Sequence, residues 1–72
     1  MEELSREAVT SEIVQRLHQA RRAQQRTQQE VYDATGVHVG RLESQQANLT
    51  LRTLITLTRY YGISLAELFQ GL

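Results

Sequence analysis

A chain of 72 residues has room for one domain and a small core, because a chain of this size buries only about 60% of its unfolded surface. It has no cysteine and two histidines, which excludes a disulfide framework and a thiolate metal centre and leaves too few ligands for a zinc site. Composition is that of a globular protein, 40% hydrophobic and 22% charged with a formal net charge of zero, and no apolar run approaches the roughly 18–20 residues of a membrane span.

The chain opens on an acidic extension, residues 1–9, in which Leu4, Ala8 and Val9 either continue the first helical stripe or fray. Met1-Glu2-Glu3-Leu4-Ser5 lacks the basic-then-apolar pattern of a secretory signal, so the expectation is a soluble, cytoplasmic protein. Glu2, Glu3, Glu7 and Glu12 against Arg6 give residues 1–12 a charge of −3, and seven arginines against four acids give residues 13–72 a charge of +3. The body is therefore mildly basic, and all its cations are arginine, the residue suited to bidentate contacts with phosphate or guanine.

No proline occurs, and the apolar residues recur with helical period, predicting five helices and no sheet over residues 10–72. The first is expected from Thr10 or Ser11 to Gln24, with Ile13, Leu17 and Ala20 on one stripe. Thr27-Gln28-Gln29-Glu30 is a capping box that starts a short second helix containing Val31. Thr35 can cap a third helix whose inward pair is Val39 and Leu42, followed by the polar loop Ser44-Gln45-Gln46-Ala47-Asn48. Thr50 is expected to cap the fourth, with Leu49 stapled onto Leu54 and a buried stripe of Leu51, Leu54, Leu57 and Tyr61. Gly62 supplies a left-handed end. Ser64 and Glu67 form a second capping box, with Ile63 stapled onto Leu68, for a compact five-helix bundle.

A Thr-Gln helix start, a tight turn and a helix ending in Arg-Leu-Glu describe a helix-turn-helix. From Ile13 to Phe69 the chain resembles the Cro/C1-type helix-turn-helix family of bacterial and phage regulators. The resemblance rests on Thr27-Gln28-x-x-Val31, on Arg41-Leu42-Glu43, and on Leu51-x-x-Leu54-x-x-Leu57-x-x-x-Tyr61-Gly62-Ile63-Ser64-Leu65-x-x-Leu68-Phe69. It implies an all-α domain of the lambda-repressor-like DNA-binding type. Three features depart from the family pattern: the spacing from Thr27 to Thr35 is about three residues short, Gln45 replaces a customary glycine, and the loop Gln-Gln-Ala-Asn lacks the usual Lys or Arg. The first requires a shortened second helix or a rebuilt turn.

In such a pair the second helix enters the major groove, so its inner face must be apolar. With Val39 and Leu42 inward, a 100° step per residue sets Gly36, Val37, Gly40, Arg41 and Ser44 on the DNA-facing side. Glycines at positions 36 and 40 then either allow close approach to the duplex or serve a tight turn with the helix starting later. Arg41 can meet O6 and N7 of guanine, Val37 a thymine methyl group, and His38 a phosphate or base. Thr35 begins the reading segment. The resemblance makes Gln28 a phosphate contact at a helix N-terminus, and makes Arg21 and Glu43 an ion pair that fixes the recognition helix. Tyr61 is expected in the core and Tyr60 at its rim or at a subunit contact.

The implied function is sequence-specific binding of double-stranded DNA by a homodimeric transcriptional regulator, a repressor, without a cofactor. The neutral charge and lysine-free loop also fit an antitoxin or controller-type module that grips a protein partner and binds DNA secondarily. No Ser-His-Asp set, metal cluster or phosphate-cradling glycine loop is present, so no enzyme is expected.

Overall fold

The computed structural model describes residues 5–45 and 49–72. Among these residues the fold is all-α, with five helices: α1 Arg6–Ala23, α2 Gln28–Thr35, α3 Val39–Gln45, α4 Leu51–Tyr61 and α5 Leu65–Phe69. Expectations for Leu4 and for residues 46–48 lie outside the described residues.

Helix starts follow from side chains that satisfy the first free amides. Thr27 accepts from Glu30 N while Glu30 reaches back to Thr27 N, and Ser64 and Glu67 repeat the exchange. Thr50 accepts from Thr53 N, and each such cap is worth about 1 kcal/mol. Of the two alternatives for Ala8 and Val9, the first helix takes the backward extension. It begins at Arg6, because Ser5 adopts the extended cap conformation and accepts from Ala8 N; the helix therefore passes through Thr10 and Ser11 instead of starting there. Val9, one turn from the start, packs against the core.

The ends are closed by left-handed residues. Gly62 has φ 72° and terminates α4. At the end of α1 the left-handed residue is Gln25, φ 56°, with Gln25 N bonded to Arg22 O and Arg26 N to Arg21 O. This paired closure satisfies the last carbonyls of α1 without glycine.

The core is formed by Ile13, Val14 and Leu17 of α1, Val31 of α2, Val39 and Leu42 of α3, Leu54, Leu57 and Tyr61 of α4, and Leu68 of α5. Helix α1 packs on α3, α4 and α5, α2 on α3 and α4, and α4 on α5. Leu51 is a correction to the expected stripe of α4, since it is 65% exposed. Its place in the first turn carries it past the edge of the core, and Thr58, buried, takes the fourth place beside Leu54, Leu57 and Tyr61. Burial of Tyr61 pushes its phenol up to about 12. Arg16 ties the middle of α1 to the segment around the end of α5 by donating from Nη1 to Leu68 O at 2.9 Å and Gln70 O at 2.6 Å, a cation placed at the negative end of α5.

Candidate nucleic-acid interface

The turn between α2 and α3 is built from Thr35 outward. Thr35 Oγ1 donates to Val31 O at 2.7 Å and accepts from Val37 N at 3.1 Å. It is the last residue of α2 and not the cap of α3. Gly36, at φ 77°, closes α2 with its N–H on Tyr32 O, a conformation that glycine adopts without steric cost. Helix α3 starts at Val39, its first long bond running from Leu42 N to His38 O at 3.0 Å. Because α2 keeps eight residues, the shortened spacing falls on the turn and the front of α3.

This redraws the expected reading face. Gly36 and Val37 precede α3, so the helical step does not govern them; Gly36 serves the turn, and Val37 is half-buried against the core. Within α3 the step holds: Val39 and Leu42 are buried, whereas Arg41 and Ser44 are exposed. His38 is exposed and its ring stacks on Tyr32 with centroids 4.4 Å apart.

Glu43 anchors the inward side of α3. Arg21 Nε donates to its Oε2 at 2.8 Å and Arg21 Nη2 to its Oε1 at 3.1 Å, a bidentate pair that joins α1 to α3. Only 12% and 11% of the two side chains is exposed. Gln28 Nε2 also donates to Glu43 Oε1, at 3.0 Å, bringing the start of α2 into the same cluster. His18 Nδ1 lies 2.9 Å from Glu43 Oε1 and 3.2 Å from Arg21 Nη2, so the ring donates to the carboxylate or accepts from the guanidinium according to its tautomer. Burial raises the Glu43 carboxyl, but hydrogen bonds from Arg21, Gln28 and His18 outweigh it and hold the group below its ordinary value. The bond to Glu43 raises Arg21.

His18 and Gln28 were absent from the expected ion pair. The family resemblance assigns Gln28 a phosphate contact only, and His18 sits one turn before Arg21 on α1, a spacing that brings the two onto one face.

Gly40 faces Gln28. A Cβ on Gly40 would lie 3.0 Å from Gln28 Oε1, so the missing side chain makes room for the amide that bridges α2 to Glu43. Gly40→Ala gains up to about 1 kcal/mol of helix propensity and forces the Gln28 amide to shift by a few tenths of an ångström, which weakens its bond to the Glu43 carboxylate without breaking it. The net change in thermal stability should be close to zero. In a Gln28→Ala background the obstruction is gone, and Gly40→Ala should then stabilise; equal melting shifts in the two backgrounds would show that Gly40 does not accommodate Gln28.

The outward side is left unpaired. Among the described residues Arg41 and Arg52 have no side-chain hydrogen bond or ion pair, while Arg16 and Arg21 are occupied within the fold and Arg26 lies 5.7 Å over the Tyr60 ring. An all-helical domain with two short helices across a three-residue turn, the second held inward by an ion pair and bearing the unpaired Arg41 outward, defines a helix-turn-helix protein. The helix-turn-helix family profile matches residues 17–68, and the chain belongs to that family, of the Cro/C1 type. It is a DNA-binding helix-turn-helix regulator, of a family that is generally non-enzymatic. Neither curated proteins nor solved structures give a match. No helix among the described residues is long and apolar enough to cross a membrane.

Proposed function

We propose that the protein is a sequence-specific repressor that binds double-stranded DNA as a homodimer, with α3 in the major groove. The observation that carries this reading is the division of α3 into two faces: Glu43 is fixed by Arg21 and Gln28, while Arg41 and Ser44 project outward with the guanidinium uncommitted. A helix held rigidly against two others can present a guanidinium to base edges at little ordering cost. Gln28 serves twice in this reading. One N–H of its amide braces Glu43 and the second is available to a phosphate beside the α2 N-terminus, where the helix dipole favours an anion. Thr35 and Gly36 act by shaping the turn, and His38 and Gly40 by lining the surface next to Arg41.

Dimerisation is supported by the apolar surface at the end of the chain, where Leu65, Phe69 and Leu72 are 36%, 41% and 37% exposed. A single module with this little net charge would hold DNA weakly, and a two-fold pair doubles the phosphate and base contacts. Footprinting on an operator selected from random sequence tests this reading. Two protected half-sites should lie about 34 Å apart, one helical turn, or a multiple of it. A strict monomer that protects one unpaired half-site removes the dimer.

A further inference from the structure

Between α2 and α3 lies an open groove of about 430 Å3 lined by Gln28, Tyr32, His38, Gly40 and Arg41 among others. Tyr32 stands four residues after Gln28 on α2, which brings it onto the face that Gln28 presents to α3. It is 40% exposed, an aromatic ring left open beside an unpaired arginine. Its backbone carbonyl closes α2 by accepting from Gly36 N at 2.8 Å, and on one side the ring meets the His38 ring in a tilted contact, centroids 4.4 Å apart and planes 34° apart, which restricts it on that side. The late start of α3 keeps this groove open, since only Val37 and His38 separate Gly36 from the helix.

We infer that Tyr32 is a specificity-determining residue that packs on a thymine C5-methyl group in the major groove, with His38 as the positioning residue that holds its ring; this rests on the regulator reading above. Four features favour it. The exposed part of an aromatic ring already restricted on one side offers a large apolar contact with few rotatable bonds to order. The thymine methyl is the one apolar group that base edges display in the major groove. Gly40 adds no side chain to the groove that Tyr32, His38 and Arg41 line. Arg41 lines the same groove and would meet a neighbouring base pair, so the two residues read different positions of one half-site.

The test uses the full chain. Binding sites are selected from random duplex DNA with the parent, Tyr32→Ala, Tyr32→Phe and His38→Ala proteins. Tyr32→Ala should lose the preference for thymine at one position per half-site, Tyr32→Phe should keep it, and His38→Ala should weaken it without shifting it. Deoxyuridine in place of that thymine removes only the methyl group; the parent should bind the uracil site about 5-fold more weakly, and Tyr32→Ala should bind both sites equally. Unaltered base preferences in Tyr32→Ala, or equal sensitivity to uracil in parent and variant, overturn the inference while leaving the regulator reading intact. A parent protein that selects no sequence at all overturns the regulator reading itself, and the inference with it.

Discussion

Replacing Glu43 with alanine should lower the stability of the fold by about 3 kcal/mol, because Arg21 would be left largely buried with no carboxylate to balance it. The estimate takes the low end of the range for broken buried pairs, since 12% of the Arg21 side chain still reaches solvent. For a domain of this size that loss corresponds to a fall of roughly 12–24 °C in the thermal midpoint. Gln28 loses its acceptor in the same step, as does His18 in the tautomer that donates to Glu43. An unchanged midpoint would show that the cluster contributes as little as an exposed surface pair, under about 1 kcal/mol. The pH dependence gives a second readout. Glu43 lies below its ordinary value of 4.5, so its contribution is fully present above that value and is lost as pH falls through the lower folded one. The parent should therefore lose stability on acidification below about pH 4.5 more steeply than Glu43→Ala. Glu30, also lowered, by the backbone hydrogen bond from Thr27, is common to both proteins and drops out of the difference.

The parts of this fold that were legible in the sequence are those whose signal and structure are local. Thr27 with Glu30, Ser64 with Glu67, and Thr50 each cap the helix that follows within three residues, and Gly62 ends α4 as a left-handed residue. Local chemistry misled where two devices competed for one residue. Thr35 has the side chain of an N-cap, yet Gly36 beside it takes the left-handed conformation, and that fixes Thr35 as the end of α2. Thr10 and Ser11 carry the hydroxyls that suit a helix start, yet the extended conformation falls at Ser5, which carries the same group and was not expected to begin a helix. Gln25 takes the left-handed conformation that glycine would have announced. Other features have no local signal at all. The bonds from Arg16 to Leu68 and Gln70 cross 52 and 54 residues, and the room that Gly40 leaves for Gln28 exists only once α2 and α3 are packed. The Arg21 and Glu43 positions were named from family resemblance, but the convergence of His18 and Gln28 on the same carboxylate depends on three helices meeting at one point.

Arg41→Ala should cost about 1–3 kcal/mol of affinity for the selected operator and relax the preference for guanine at one position per half-site. Arg41 is exposed on α3 and its guanidinium has no hydrogen-bond or ion-pair partner among the described residues, so truncating it removes nothing from the core and the thermal midpoint should barely move. That separates it from Glu43→Ala, in which affinity would fall because the recognition helix is no longer held. Arg41→Lys sharpens the test: lysine keeps the charge but loses the planar fork that meets O6 and N7 together. If Arg41 reads a guanine, Arg41→Lys should bind the operator more weakly than the parent and discriminate less at that one base pair. If Arg41 only touches a phosphate, Arg41→Lys should bind nearly as well as the parent, while Arg41→Ala should weaken all sequences uniformly and reduce the salt dependence of binding by about one unit of slope. Affinity measured at two salt concentrations on the operator and on duplexes changed at single positions distinguishes the outcomes, and uniform weakening would move base recognition away from this residue.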